Sequence, residues 1–105
     1  MQQQEFAKRY TMRNKFNSLL LNIPKGKVTT YGELARILNS SPRGVGKMLN
    51  SNKDPDKYPC YKVVMKDCSI GGFALGIEEK IKRLNKDNIE VIKGKVEKKY
   101  IHYFK

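Results

Sequence analysis

Two closely spaced helix-start signals constrain the fold of this chain more than any other feature. Thr30 opens the stretch TYGE, which has the pattern of a capping box: Thr30 caps the helix and Glu33 bonds back to it. Ser41 also suits an N-cap, and Pro42 suits the first helical position that follows. Two short helices joined by so short a turn form a helix-turn-helix unit. The sequence therefore predicts this unit at residues 30–50.

Apolar residues at helical spacing predict a helix on each side of this unit. One helix starts at Asn14 and ends before Pro24 and Gly26, and another runs from about Gly76 to Lys86. The side chains expected to face inward are Phe16, Leu19, Leu20 and Ile23 in the first helix; Leu34, Ala35 and Leu38 in the second; Val45, Met48 and Leu49 in the third; and Ile77, Ile81 and Leu84 in the fourth.

The remaining segments predict a small β component. Residues 61–65 have the pattern of a strand, 67–72 that of a turn, and 89–104 alternate around Gly94 as in a β-hairpin. No internal repeat or linker is visible. We therefore expect one domain over residues 1–105, mainly α-helical with a small β part.

The net charge is +12, from 22 basic and 10 acidic residues. A field of this sign attracts polyanions, so nucleic acid is the first expected partner and an anionic membrane surface the second. A lysine-rich surface that only keeps the protein in solution remains the alternative. No apolar run reaches the roughly 20 residues of a membrane span, and the N-terminus lacks the apolar middle of a secretory signal. These features predict a cytoplasmic protein.

Cys60, in the stretch YPCYKVV, leaves three possibilities open: a small buried hydrophobe, one end of a disulfide, or a nucleophile in a loop that leads into a strand. Cys68 is the other cysteine, and the two lack the spacing of metal ligands. An intracellular location argues against a disulfide between them. We expect neither a metal nor a cofactor.

Four segments together identify a family: IPKGKVTTYGELA, SPRGVGKMLNSN, PCYKVV and IGGFALGIEEK. Residues 14–92 resemble the C-terminal, DNA-binding and active-site domain of the O6-alkylguanine-DNA alkyltransferases, and 93–105 follow as a basic tail. The resemblance implies a winged-helix-like helix-turn-helix bundle. It also implies a monomer that flips O6-alkylguanine out of double-stranded DNA and moves the alkyl group to a cysteine, once per molecule. Such DNA would be found in the nucleoid, or in the nucleus of a eukaryote.

The resemblance also assigns roles to single residues. Cys60 matches the alkyl acceptor, and Arg43 matches the arginine that fills the gap left by the flipped base. Tyr31 matches the tyrosine that helps rotate the nucleotide and assists proton delivery to guanine. The other matches are Asn52, which braces the turn before the cysteine; Val63, whose carbonyl reads the guanine edge; Gly72 and Phe73, in the loop over the base pocket; and Ser41, Gly44 and Lys47, on the DNA-facing helix. Lys80 matches a basic position without an assigned role.

The chain departs from the family beside the cysteine. The usual motif is proline, cysteine, histidine, arginine, valine, whereas this chain has Tyr61 for the histidine and Lys62 for the arginine. Asp87 falls near the glutamate that the histidine normally reaches through water. Tyrosine, with an ordinary pKa of about 10, is a poor base at neutral pH, so Lys62 and the general positive field are expected to favour the thiolate. The Tyr61 hydroxyl could still hold a water, but the lost histidine relay implies slow transfer or none.

Two other functions fit parts of the pattern. Alkyltransferase-like proteins keep the flipping residues, generally lack the acceptor cysteine, and bind lesions without transferring the alkyl group. An ordinary helix-turn-helix regulator would bind undamaged DNA by sequence, with an incidental cysteine.

Overall fold

The computed structural model describes residues 2–104, with side chains from residue 12 onward. Its helices are α1 (Gln2–Leu21), α2 (Tyr31–Leu38), α3 (Pro42–Asn50) and α4 (Ile77–Lys86). Its strands are β1 (Thr29–Thr30) and β2 (Val63–Val64), and 3₁₀ turns span Cys60–Lys62 and Lys98–Tyr100. The mainly α-helical bundle with a helix-turn-helix unit is confirmed. Among the described helices, none has the length and apolarity to cross a membrane.

Both predicted N-caps of the helix-turn-helix unit are confirmed. The Thr30 hydroxyl accepts a hydrogen bond from the Glu33 N–H at 3.0 Å, and the Ser41 hydroxyl accepts one from the Gly44 N–H at 3.0 Å. The other bond predicted for the capping box, from Thr30 to the Glu33 carboxylate, is wrong, because the structure does not contain it. The Glu33 carboxylate instead accepts the backbone N–H of Phe104 at 2.6 Å and pairs with Arg36 at 2.8 Å.

Two apolar clusters form the core, and the segment that carries Cys60 runs between them. The first joins α1, α2 and α3; it contains Phe16, Leu20, Ile23, Leu34, Ala35, Leu38, Val45, Leu49, Cys60 and Val63. The second lies under α4 and the C-terminal residues; it contains Val28, Val64, Ile70, Leu84, Ile89 and Val96. Because Val63 belongs to the first cluster and Val64 to the second, β2 fixes the cysteine segment relative to both.

β1 is the centre of a small β arrangement. Thr29 and Thr30 pair in parallel with Val63 and Val64. On the other side, the Val28 N–H donates to Tyr100 at 2.8 Å and the His102 N–H donates to Val28 at 2.6 Å. The chain after α4 therefore packs along the strand that leads into α2.

Two β predictions need correction. Residues 61–65 do not form one strand: the Lys62 N–H bonds to the Pro59 carbonyl at 3.1 Å, which closes a 3₁₀ turn before the two-residue β2. The hairpin predicted at 89–104 does not form; only its turn is present, in which Ile92 and Lys95 exchange two backbone hydrogen bonds. Lys93 and Gly94 form that turn with positive φ angles. The residues beyond it pair elsewhere, so no ladder extends.

The buried face of α4 also differs from the prediction. Ile77 is 54% exposed, whereas Lys80 is 1% exposed and lies one helical turn before buried Leu84. The buried face of this helix therefore includes Lys80, which the apolar pattern did not place inward, and leaves Ile77 exposed.

Candidate active site

Cys60 begins the 3₁₀ turn after Pro59, and its N–H donates to the Tyr58 carbonyl at 2.7 Å. The residue is 7% exposed and lines a cavity of about 150 Å³. The cavity is bounded by Tyr31, Leu49, Asn50, Cys60, Gly72, Phe73 and Ala74. The structure therefore brings the predicted residues Tyr31, Gly72 and Phe73 together with Cys60. Val63 and Asn52 lie outside this lining.

Tyr31, the first residue of α2, faces the cysteine. Burial raises the pKa of Tyr31, and the negative charge of a Cys60 thiolate raises it further. Its hydroxyl lies near Gly71, where an added Cβ would come within 3.9 Å of the oxygen. Tyr31 therefore keeps its proton at neutral pH and can donate it into the cavity.

Asn52 tethers the loop that leads to the cysteine. Its side-chain amide donates to the Tyr58 carbonyl at 2.9 Å, and its side-chain oxygen accepts the Asp54 N–H at 3.1 Å. These bonds close the loop between α3 and Pro59, so Asn52 acts on Cys60 through the backbone.

Tyr61, Lys62 and Asp87 form a separate cluster. The Lys62 ammonium lies 3.0 Å from the Asp87 carboxylate and donates to the Pro24 carbonyl at 2.9 Å. Asp87 also accepts the Gly26 N–H at 3.0 Å. Lys62 therefore joins the end of α4 to the loop after α1, and these contacts give no support to its expected position beside the thiol.

Tyr61 shares a second cavity with Asp87. Burial and the Asp87 carboxylate raise the pKa of Tyr61, and the nearby Arg83 acts in the opposite direction. The phenol is consequently neutral at physiological pH. This cavity measures about 510 Å³; its lining is Lys25, Asp56, Tyr61, Glu79, Lys82, Arg83, Lys86 and Asp87. None of these residues lines the Cys60 cavity.

Lys80 is the residue whose importance sequence reasoning missed. Its ammonium donates to the carbonyls of Val63 at 2.8 Å, of Gly72 at 3.0 Å, and of Ile70. Burial lowers the pKa of Lys80 to about 8, and the charge of Cys60 acts in the opposite direction. The available signal was its spacing four residues before Leu84, on the face that the apolar pattern turned inward.

The start of α3 is open to solvent. Ser41 and Arg43 are exposed there, whereas Gly44 is partly covered; Lys47 is also exposed, but it lies in the last turn of the helix. A Cβ at Gly44 would lie 2.6 Å from the Ser40 hydroxyl oxygen, so glycine allows the tight entry into this helix. Both cysteines are free, and the side chains described include no cluster of three or more groups suited to a metal.

Comparisons with known proteins connect this geometry to a family. Residues 11–89 match the family described as 6-O-methylguanine DNA methyltransferase, DNA binding domain. The chain is 51% identical over 84 residues to a bifunctional methyltransferase/endonuclease of Picrophilus torridus; the match covers 78% of this chain and 28% of that protein. It thus spans about a quarter of that relative's length.

Two solved structures are similar to the fold. An O6-methylguanine-DNA methyltransferase from the archaeon Pyrococcus kodakaraensis is 41% identical, with a TM-score of 0.69 over 73% of this chain and 46% of that one. The S. pombe protein Atl1, solved with damaged DNA containing O6-carboxymethylguanine, is 23% identical, with a TM-score of 0.77 over 90% of this chain and 96% of that one. The second likeness concerns the fold alone.

Proposed function

Because this chain belongs to the family of 6-O-methylguanine DNA methyltransferase DNA-binding domains, we propose that it repairs DNA by moving an alkyl group from O6-alkylguanine to Cys60. One observation carries the proposal: Cys60 lines a small cavity together with a protonated Tyr31. A free cysteine buried only for packing does not need a cavity or a proton donor beside it. We further propose that the chain corresponds to the DNA-binding and active-site part of such proteins, without the expected C-terminal placement, and acts as a monomer in the compartment that holds the DNA.

The proposed reaction is a single displacement. The Cys60 thiolate attacks the alkyl carbon, an S–C bond forms, and the bond from that carbon to O6 breaks. The thiol proton passes to solvent when the thiolate forms, and guanine leaves with the electron pair and takes up one proton. Tyr31 is the proposed donor of that proton, and it regains one from solvent. The thioether is not reversed, so each molecule reacts once.

The DNA must be opened to bring the base to this cavity, because the alkyl carbon is out of reach inside the duplex. We propose that the exposed start of α3 approaches the DNA and that Arg43 fills the gap in the stack, which offsets part of the few kcal/mol that flipping costs. Ser41, Gly44 and Lys47 would contact the backbone. Gly72 and Phe73 would cover the flipped base, and the Val63 carbonyl would read its edge.

Intact-protein mass spectrometry tests this function after incubation with duplex DNA that carries one O6-methylguanine. The expected result is one added methyl group, mapped to Cys60, with a burst no larger than the amount of protein. Cys60→Ala should remain unmodified, and Cys68→Ala, the matched control, should react like the wild type.

Other outcomes would contradict the proposal. Tight binding of the lesion with an unmodified protein mass would indicate an alkyltransferase-like protein. Sequence-selective binding that ignores the alkyl group would indicate a regulator. Continuing turnover would exclude a single-use acceptor.

A further inference from the structure

Lys80 is an unusual feature of this fold, because a lysine is seldom buried without an acidic partner. Its side chain is 1% exposed, and among the described residues no carboxylate pairs with it. Removing an ammonium from water is costly unless its donors are satisfied. Here all three N–H groups are used, each on a backbone carbonyl. The chain thus keeps a costly charge in its interior.

The three carbonyls belong to the two chain segments that carry Cys60 and the loop beside it, and of the three residues Gly72 lines the cavity itself. Val63 directly follows the 3₁₀ turn that starts with Cys60. Ile70 and Gly72 belong to the segment that continues into Phe73 and bounds the cavity on the other side. One ammonium therefore ties the cysteine segment to the segment over the pocket, and it does so from the first turn of α4.

Among the charged groups that pack against α4, Cys60 is the one whose negative charge would act on the Lys80 ammonium. Of the titratable groups on the 3₁₀ turn that packs against α4, Tyr61 is affected by Asp87 and Arg83, and Lys62 is bonded to Asp87. Cys60 is the group whose charge acts on Lys80, in the direction that retains the ammonium. Tyr31, from α2, faces Cys60 as well and remains neutral. An attraction between two charges is reciprocal, so an ammonium favoured by the thiolate also favours the thiolate.

We propose that Lys80 is a positioning residue: its ammonium joins the segment that carries Cys60 to the segment beside the cavity, through the carbonyls of Val63, Ile70 and Gly72, and its positive charge favours the Cys60 thiolate. This inference rests on the proposed function for its biological meaning. It assigns to Lys80 the task that sequence reasoning gave to Lys62. It also explains how a thiol could be activated in a chain that lacks the usual histidine.

The test measures the thiol without DNA, so that its failure is distinct from a failure of the proposed function. In a Cys68→Ser background, the rate of reaction with iodoacetamide is followed from pH 5 to 10 as a measure of the thiolate fraction. Lys80→Met should slow the reaction at pH 7 about tenfold and move the midpoint of the profile up by about one pH unit. Lys80→Arg should recover part of the rate.

Lys82→Met is the matched control, because it removes an exposed lysine from the same helix and should leave the profile unchanged. A folded Lys80→Met protein with the wild-type profile would overturn the proposal, since a purely structural lysine would change stability and not the titration of Cys60.

A second measurement decides the question if Lys80→Met does not fold. Methyl methanethiosulfonate caps Cys60 of the Cys68→Ser protein: the thiolate attacks the sulfenyl sulfur, an S–S bond forms, and methanesulfinate leaves. The Lys80 Cε signal is then titrated by NMR, with Lys80→Arg used for its assignment. Capping removes the negative charge, so the midpoint for Lys80 should fall. A midpoint that stays or rises would overturn the proposal.

Discussion

At the scale of single residues, the decisive change in this chain is the tyrosine after the cysteine. Tyr61 and Asp87 line the second cavity, and neither residue lines the Cys60 cavity. Burial and the carboxylate raise the pKa of Tyr61, so it cannot take the thiol proton at neutral pH. The Asp87 carboxylate is nevertheless in place to orient a base at this position.

Tyr61→His should therefore speed up alkyl transfer. A histidine beside Asp87 would have a pKa near neutrality and could accept the Cys60 proton through a bridging water, an effect that commonly changes rates by 10²–10⁴-fold. We expect an increase of about tenfold or more in the single-turnover rate at pH 7, measured by loss of the methyl group from a DNA duplex. Tyr61→Phe, which removes only the neutral hydroxyl, is the control and should remain within about twofold. A histidine variant no faster than the wild type would contradict the prediction that a base at position 61 limits the rate of transfer.

At the scale of elements, the C-terminal segment is a structural part of the helix-turn-helix unit. Glu33, 7% exposed on α2, accepts the Phe104 N–H at 2.6 Å, and Arg36 donates both to Glu33 and to the Phe104 carbonyl. The hydrogen bond from Arg36 is the main cause that lowers the pKa of Glu33, against the effect of burial. The basic tail is thus attached to α2.

Glu33→Gln should weaken this attachment. Losing a charged acceptor for the Phe104 N–H costs about 1.5 kcal/mol or more, which corresponds to several degrees in Tm for a domain of this size. Because the folded pKa of Glu33 is below its unfolded value, the wild type has this stability above about pH 4.3 and loses it as the pH falls further. Thermal unfolding at pH 7 and pH 3 measures the loss of stability and its dependence on pH. The Tm difference between variant and wild type should be larger at pH 7.

Glu97→Gln provides the control for that experiment. Glu97 is 54% exposed and its oxygen lies 3.7 Å from the Lys99 ammonium, so the pair should contribute little. Equal Tm losses for the two variants, or a Glu33→Gln difference that persists at pH 3, would contradict the role given to Glu33.

At this scale, a hydrogen bond could be predicted from the sequence when its two partners lie close together along the chain. The caps at Thr30 and Ser41 were predictable because each hydroxyl bonds to a residue three positions away. Glu33 was misassigned because its true backbone partner lies 71 positions along the chain. Lys80 was missed for a related reason: an ammonium that serves backbone carbonyls leaves no complementary residue type in the sequence. The cavity was placed by resemblance, since periodicity alone does not show which loops meet.

At the scale of the whole molecule, the net charge of +12 can contribute to DNA binding in two ways, as a general field or through a docking surface. A general field attracts any duplex and depends on the total charge. A docking surface depends on a few side chains that neutralise phosphates and release their counterions. The exposed side of α3, with Arg43 near its start and Lys47 in its last turn, is the candidate for the second contribution.

The salt dependence of DNA binding separates the two contributions. For an undamaged duplex, the logarithm of the affinity should fall linearly with the logarithm of the salt concentration, by about 0.9 for each phosphate contacted. Lys47→Ala should weaken binding and reduce this slope by about one, because it removes one such contact. Lys86→Ala, at the end of α4 beside the second cavity, removes the same charge without a phosphate contact and should leave the slope within about 0.3 of the wild type. Fluorescence anisotropy from 50 to 300 mM salt measures all three proteins. If both variants change the slope equally, the charge acts as a diffuse field and the exposed side of α3 is not the docking surface.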